Sequence, residues 1–324
     1  DPSRNGSGVP ALRLGARWLV PVTSAPVEDG AVLVGEDGRV VTAGRSAEVP
    51  RPAGVPSLDL GDAAILPGLV NAHTHLELTA LRGLVRGLRF PAWVAAVRRI
   101  KDALTPAHFA ASARWGVLES FAAGITTIGD TGSSGAPAAA LAALGARGVA
   151  YQEVFGPDPA RAEESVRGLE AAVEALLPLA SERLRIGASP HAPYTVSEPL
   201  LRAVVDLARR RGWPVAMHLA ESPEEDHDVR HGDGPFAEAR RKRGIAVQAR
   251  GCSPVAWVGR AGLLDLRPLL IHCVTADGDD AVAIARHGAS MSGPDYAAFK
   301  NGWWELTNNL QEMSGWLKTQ EKKK

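Results

Sequence analysis

Histidines carry the chemistry that is easiest to read in this sequence. His73 and His75 lie in Pro67-Gly68-Leu69-Val70-Asn71-Ala72-His73-Thr74-His75-Leu76-Glu77, directly after an apolar run that reads as a strand. Alternate residues of an extended strand point the same way, so both imidazoles can reach one cation. His218 and His272 each end a later apolar run, and His191 follows another. Taken singly, a histidine beside an apolar run is more often a hydrogen-bonded structural residue. The His-x-His spacing shifts that balance. Five strand-end histidines from four units shift it further, because they converge on one pocket only if the strands close into a barrel. His108, His227, His231 and His287 fall in helices or polar loops, where a solvated surface is the better reading.

The elements that must position these side chains alternate strand and helix, which calls for parallel βα units and a mostly parallel sheet. Strands are expected at residues 64–72, 125–130, 149–155, 184–189, 214–219 and 268–273, with alanine-rich helices at 106–123, 136–146, 161–177, 198–211 and 277–287. Residues 11–66 read differently. Turn signals at Glu28-Asp29-Gly30 and Glu36-Asp37-Gly38-Arg39 separate short valine-rich runs, as in a small antiparallel sheet forming a separate β layer. Residues 221–253 are a polar, Arg- and Gly-rich excursion, expected to be an active-site loop region.

Composition narrows the class. The 324 residues are 45% hydrophobic, enough for one large α/β domain with a small one beside it. With 36 basic and 36 acidic residues, no electrostatic footprint points to nucleic acid or an anionic membrane. Cys252 and Cys273 are the only cysteines, and no apolar run approaches the roughly 18–20 residues of a membrane span, so a reducing, cytoplasmic setting is expected. Residues 1–10 lack the charged and apolar regions of a signal peptide and read as a tag or disordered start. The basic residues change character along the chain: 29 Arg and 2 Lys precede Met291, and 5 Lys with no Arg follow. Together with Trp303, Trp304 and Trp316, this makes residues 291–324 read as an atypical, foreign or frame-shifted tail. A natural amphipathic helix with a lysine-rich end is the blander alternative.

Five motifs in order carry a family resemblance: the Pro67 to His75 segment, Gly124-Ile125-Thr126-Thr127, Ser189-Pro190-His191-Ala192-Pro193-Tyr194-Thr195, His218-Leu219-Ala220-Glu221 and Ile271-His272-Cys273. Through them the chain resembles the amidohydrolase superfamily, and within it the deaminase and chlorohydrolase branch. The resemblance implies an α/β fold built as a (β/α)8 TIM-type barrel at residues 67–290, with residues 11–66 as the first half of a small β-sandwich. It implies one divalent metal held by His73, His75 and His218, with Glu221 as proton shuttle, His272 orienting the attacking water and His191 contacting substrate. The roles are coherent physically. Three neutral imidazoles leave positions open for a water whose pKa zinc lowers to about 7. Glu221, on the loop leaving a ligand strand, is placed for proton transfer to a ring nitrogen and then to the leaving amine. A solvated carboxylate among Glu224, Glu225 and Asp226 is its structural alternative. Glu77 and Glu153 are further candidates for substrate contact, with helix-start and strand-end ion pairs as equal alternatives.

Departures from the family pattern matter as well. Binuclear relatives bridge two ions with a carboxylated lysine on the fourth strand. Here that segment, Leu184-Arg185-Ile186-Gly187-Ala188-Ser189, has none, so a single zinc, with iron as the alternative, is expected. No eighth-strand aspartate is evident, Asp295 being a weak substitute, and the barrel therefore reads as cut short after the sixth βα unit. The expected substrate is a small molecule, an aminated purine nucleoside. The His75-Leu76-Glu77-Leu78 and Arg89-Phe90-Pro91-Ala92-Trp93 segments look most like aminodeoxyfutalosine deaminases. Adenosine-type deaminases acting on S-adenosylhomocysteine or methylthioadenosine usually carry a ribose-binding glutamate in a region that here offers Lys101 and Asp102. A chlorohydrolase or other cyclic C–N hydrolase, and a catalytically impaired metal-binding chain, are the competing expectations. A homo-oligomer is left open.

Overall fold

Short valine-rich runs with tight turns between them build the sheet that opens the chain: β1 (Pro10–Leu19), β2 (Val27–Gly35), β3 (Val40–Arg45), β4 (Ser57–Asp59) and β5 (Ala64–Ile65). The computed structural model describes residues 9–292, and the chain divides into two units between Leu69 and Val70. In the first unit the strand order is β3-β2-β1-β4, with β5 also pairing β1. The β1–β2 and β2–β3 pairs are antiparallel, as the turn signals require, but β4 and β5 lie parallel to β1. The sheet is therefore mixed rather than antiparallel. Parallel pairing needs a crossover, and strands of three and two residues leave no periodicity to read. Ala31, Leu33 and Val49 form its small core.

The second unit is α/β with parallel strands. β6 (Leu69–Thr74), β7 (Ile125–Gly132), β8 (Arg147–Val154) and β9 (Leu184–Pro190) form one sheet in that order. β10 (Ala216–Leu219), β11 (Leu269–His272) and β12 (Ser290–Ser292) form another. The β7–β8, β8–β9, β10–β11 and β11–β12 pairs are all parallel. A single parallel bridge, Ala188 to Val215, joins the two sheets, supported by the Ala188 amide donating to Pro214 O at 3.0 Å. Pro214 has no amide hydrogen to contribute, so the ladder thins at this seam.

Helices follow the strands, four of them opening on a side-chain cap among the described residues. They are α1 (Phe90–Lys101), α2 (Pro106–Ala122), α3 (Ala136–Ala143), α4 (Ala162–Leu176), α5 (Glu198–Arg211), α6 (Pro223–His231), α7 (Pro235–Arg241), α8 (Pro254–Arg260) and α9 (Gly278–His287). Thr105 caps α2 and Asp277 caps α9 with reciprocal side-chain bonds, and Gly288 ends α9 in the left-handed conformation that favours glycine. Residues 221–253, expected to be loop, contain α6 and α7; their charged composition hides two short helices that begin at Pro223 and Pro235.

One apolar core packs helices on the outside of the strands, including Leu141, Leu184, Leu200, Leu201, Met217, Leu219 and Leu270, all essentially inaccessible. A second cluster, Tyr151, Ala216 and Ile271 with Val149 and Leu269, comes from alternate residues of β8, β10 and β11. Two residues further along the same faces stand Glu153 and His218, so the inner layer delivers polar side chains to the C-terminal rim. The reading that ended the barrel after six βα units is corrected by β12. This seventh strand pairs Met291 with Leu270, inside the segment expected to be tail, and its three residues are too few for a sequence pattern. Among the described residues β6 and β12 make no ladder with one another. The expectations for residues 1–8 and 293–324, Asp295 included, fall outside the described residues.

Candidate active site

The β6 backbone places His73 and His75 two residues apart, and the ends of β10 and β11 bring His218 and His272 to the same point. The ring of His73 lies 4.9 Å from the rings of both His75 and His218 and 5.5 Å from that of His272. His75 and His218 are stacked, centroids 5.1 Å apart and planes within 1°. His191, just past β9, adds a ring 4.7 Å from His218. All five sequence-selected histidines therefore form one cluster.

Hydrogen bonding decides which nitrogen of each ring faces inward. Nδ1 of His75 contacts Thr131 O at 2.8 Å, and Nδ1 of His218 contacts His191 O at 3.1 Å. A carbonyl oxygen only accepts, so each Nδ1 carries the hydrogen and each Nε2 presents a lone pair. Those two Nε2 atoms stand 3.2 Å apart. Two acceptors at that distance repel one another unless something positive lies between them. Two nitrogens on a tetrahedral zinc, each at 2.0–2.1 Å, would be about 3.3 Å apart, so the observed spacing fits a shared cation. His73 Nδ1 is buried with no hydrogen-bond partner, and the neutral ring offers one further lone pair through one of its nitrogens. The ligand atoms of His73, His75 and His218 all lie within 4.8 Å of one another.

Burial keeps these rings neutral, as metal ligation requires. Burial, then the neighbouring His75, His272 and His191, take His73 down to about 2. Burial and the same crowding lower His218 well below the usual imidazole value and bring His191 to about 3. His75 is also lowered, chiefly by burial, with its bond to Thr131 opposing.

Glu221 sits at the edge of this cluster. One carboxylate oxygen is 3.2 Å from His272 Nε2, and the other accepts the Tyr194 hydroxyl at 3.1 Å. Backbone strain collects here. Ala220, His272 and Cys273 have φ of 52°, 77° and 56°, which non-glycine residues rarely adopt. The His272 side chain is aimed by that twist. His191 Nδ1 is held by Thr195 Oγ1 at 2.8 Å, and its ring lies 4.5 Å from the exposed Phe155 ring. Glu153 reaches the same space: a carboxylate oxygen of it and the ring nitrogens of His191 and His218 lie within 4.8 Å of one another. Burial pushes its carboxyl up to about 8, and one of its oxygens is buried without a partner.

Glu77, expected as a substrate contact or as a helix-start ion pair, makes the ion pair. It is fully buried, and its oxygens accept the Ser133 amide at 3.2 Å, the Ser134 amide at 2.9 Å, the Ser134 hydroxyl and the Lys101 ammonium. Burial raises its pKa, but Lys101 and Ser134 outweigh that and hold it low. With both oxygens engaged, Glu77 pins the turn after β7. The sequence reading gave no role in the site to Lys101, Asp130, Tyr194 or Glu225. Asp130, 1% exposed, accepts the Leu76 amide at 2.6 Å and so fixes the chain just after His75. Lys101 had one available signal, since it and Lys242 are the only lysines before Met291 in an arginine-rich chain.

Comparisons with known proteins bear on the family. The model of the amidohydrolase family matches residues 64–301. The chain is 32% identical over 272 residues to the aminodeoxyfutalosine deaminase of Deinococcus radiodurans, covering 81% of this chain and 63% of that protein. It is 30% identical over 270 residues to a 5-methylthioadenosine/S-adenosylhomocysteine deaminase of Nitratidesulfovibrio vulgaris, covering 82% of this chain and 57% of that protein. Among solved structures, a zinc-bound adenosine deaminase from Xanthomonas campestris aligns with a TM-score of 0.71 at 24% identity, over 88% of this chain and 63% of that one. The chain thus spans 63% or less of the length of each of these curated relatives.

Proposed function

The chain belongs to the amidohydrolase family, and we propose that it performs the metal-dependent hydrolytic deamination of an aminated purine nucleoside. The observation that carries this reading is the Glu221 carboxylate, 3.2 Å from His272 Nε2 at the edge of a cluster of three neutral imidazoles. His73, His75 and His218 would hold one divalent cation, with zinc favoured by the nitrogen set and by the zinc-bound structural neighbour. When bound, such an ion supplies Lewis acidity and a nucleophilic oxygen at neutral pH.

The protein's own residues do the rest. Glu221 takes a proton from the attacking water and passes it to the ring nitrogen beside the amine-bearing carbon. It then takes the proton of the newly added hydroxyl and passes it to the departing amine, which leaves as ammonia as the ring carbonyl forms. Tyr194 donates to its outer oxygen and holds that carboxylate in one rotamer. His272, fixed by its left-handed backbone, orients the attacking water. His191 turns Nε2 toward the substrate because Thr195 occupies Nδ1, and the exposed Phe155 ring beside it offers a flat apolar surface to a heterocycle.

Aminodeoxyfutalosine is the favoured substrate, supported by the 32% identity to the Deinococcus radiodurans deaminase, ahead of 5-methylthioadenosine and S-adenosylhomocysteine. The test is loss of the adenine chromophore when the zinc-loaded chain meets a panel of those three nucleosides and adenosine. Turnover of one or more is expected, fastest with aminodeoxyfutalosine. An unchanged spectrum on all four rejects the deaminase reading. Chloride release from a chlorinated triazine in its place would reassign the chain to dehalogenation, and one metal per chain without any turnover would make it a metal-binding protein.

A further inference from the structure

Glu225 lies four residues beyond Glu221 on α6, is fully buried, and touches none of the five histidines at hydrogen-bond distance. Its two carboxylate oxygens accept two consecutive backbone amides, Ala220 N at 2.7 Å and Glu221 N at 3.0 Å. Its own amide is held by the Ser222 hydroxyl at 3.2 Å, the N-cap of α6. In an ordinary capping box the acidic residue three positions on reaches back to the N-cap amide. Here Ser222-Pro223-Glu224-Glu225 has that spacing, but the carboxylate reaches further back, to the two residues before the cap. Those residues need holding. Ala220 is in the left-handed conformation at φ 52°, which an alanine holds only where its surroundings enforce it. From the opposite side, Ala220 O accepts the Thr275 amide at 2.9 Å, tying the turn to the segment after β11.

We propose that Glu225 is the positioning residue for Glu221: its carboxylate clamps the Ala220–Glu221 peptide, and that clamp sets the Glu221 side chain between Tyr194 and His272. The inference rests on the deaminase reading for the role of Glu221, but the clamp itself has a readout of its own. Glu225→Gln keeps the volume and replaces one accepting oxygen by an amide that faces another N–H, so one of the two bonds is lost. A misplacement of a catalytic group by about 1 Å costs on the order of 10²-fold in rate. The expected result is therefore a kcat lowered by about 10- to 10²-fold, with KM and zinc content close to those of the parent chain. In a Glu221→Gln background the same substitution should lower kcat no further, because the two residues act as one unit. Equal losses in both backgrounds would show that Glu225 supports the fold generally and would overturn the proposal.

The second arm uses the metal-free chain and needs no turnover. Amide hydrogen exchange at Ala220 and Glu221 should accelerate by about tenfold or more in Glu225→Gln, while Met217 to Leu219 on β10 exchange as before. Unchanged protection at Ala220 and Glu221 would refute the clamp. If the parent chain deaminates nothing, the functional reading fails while exchange still decides on Glu225. If Glu225→Gln does not fold, Ser222→Ala serves instead. It removes only the bond that orients Glu225, and it should give a smaller loss of kcat that likewise disappears in the Glu221→Gln background; a loss that persists there counts against the proposal.

Discussion

Glu221 is held at both carboxylate oxygens, and the two contacts predict different consequences. Replacing it with Gln removes the proton carrier and leaves the imidazoles in place, so kcat should fall by about 10²- to 10⁴-fold with zinc still bound at one per chain. Steady-state rates read together with metal analysis check this; loss of the metal would mean that Glu221 is a ligand. Behind the site, Lys101→Met would strand the Glu77 carboxylate, which is fully buried. Stability should drop toward the lower end of about 3–5 kcal/mol, since Lys101 keeps 22% of its side chain exposed, and denaturant midpoints measure it. Adding Glu77→Gln should restore part of the loss. Legibility at this scale followed chemistry. The five histidines could be read because His-x-His and strand-end positions are statements about local geometry. Glu77, Asp130 and Glu225 could not, because what each does depends on backbone amides of Leu76, Ser133, Ser134, Ala220 and Glu221 that only the folded chain brings to it.

Elements hold the histidines in register, and β6 lies close against β7. A Cβ added at Gly129 would lie 2.2 Å from Ala72 O, the residue before His73. Gly129→Ala should therefore push β6 away from β7, costing about 1–3 kcal/mol and lowering zinc affinity, which a metal titration alongside thermal unfolding would show. An alanine variant that binds zinc normally would mean the strand pair is looser than drawn. Strands and most helices were readable because apolar runs and alanine-rich periods alternate over long stretches. Helix α1 was missed although Phe90, Trp93, Val94, Val97 and Ile100 recur at helical spacing, because the segment was read for its resemblance rather than for its period. α6 and α7 were hidden by their charge, although Ser222 before Pro223 carried the cap signal. β12 was too short to read, and its place is set by pairing with β11 rather than by its own residues.

At the scale of the molecule, parallel strands bring His75, just past β6, and His218 of β10, some 140 residues apart in sequence, to one point, as their 3.2 Å contact shows. A cation bound there cross-links the first and fifth strands of the unit. Metal binding should thus stabilise the fold: at a hundredfold excess over Kd the linkage is worth about 2.7 kcal/mol, so chelation should lower Tm by a few degrees. His218→Ala should remove that response to zinc and chelator alike, and a chelator-sensitive Tm in this variant would place the metal elsewhere. Among the described residues no helix is long and apolar enough to cross a membrane. The alternation of strands and helices was legible at this scale, whereas the mixed order of the first sheet was not, since the crossover that makes β4 and β5 parallel to β1 leaves no local mark.

The shared cation is the point on which the account turns, and zinc K-edge absorption of the loaded chain addresses it directly. The account predicts one zinc per chain with three imidazole nitrogens at about 2.0–2.1 Å, and loss of that zinc in each of His73→Ala, His75→Ala and His218→Ala. Zinc that stays bound in any of the three variants, or a first coordination sphere without three imidazoles, would contradict it.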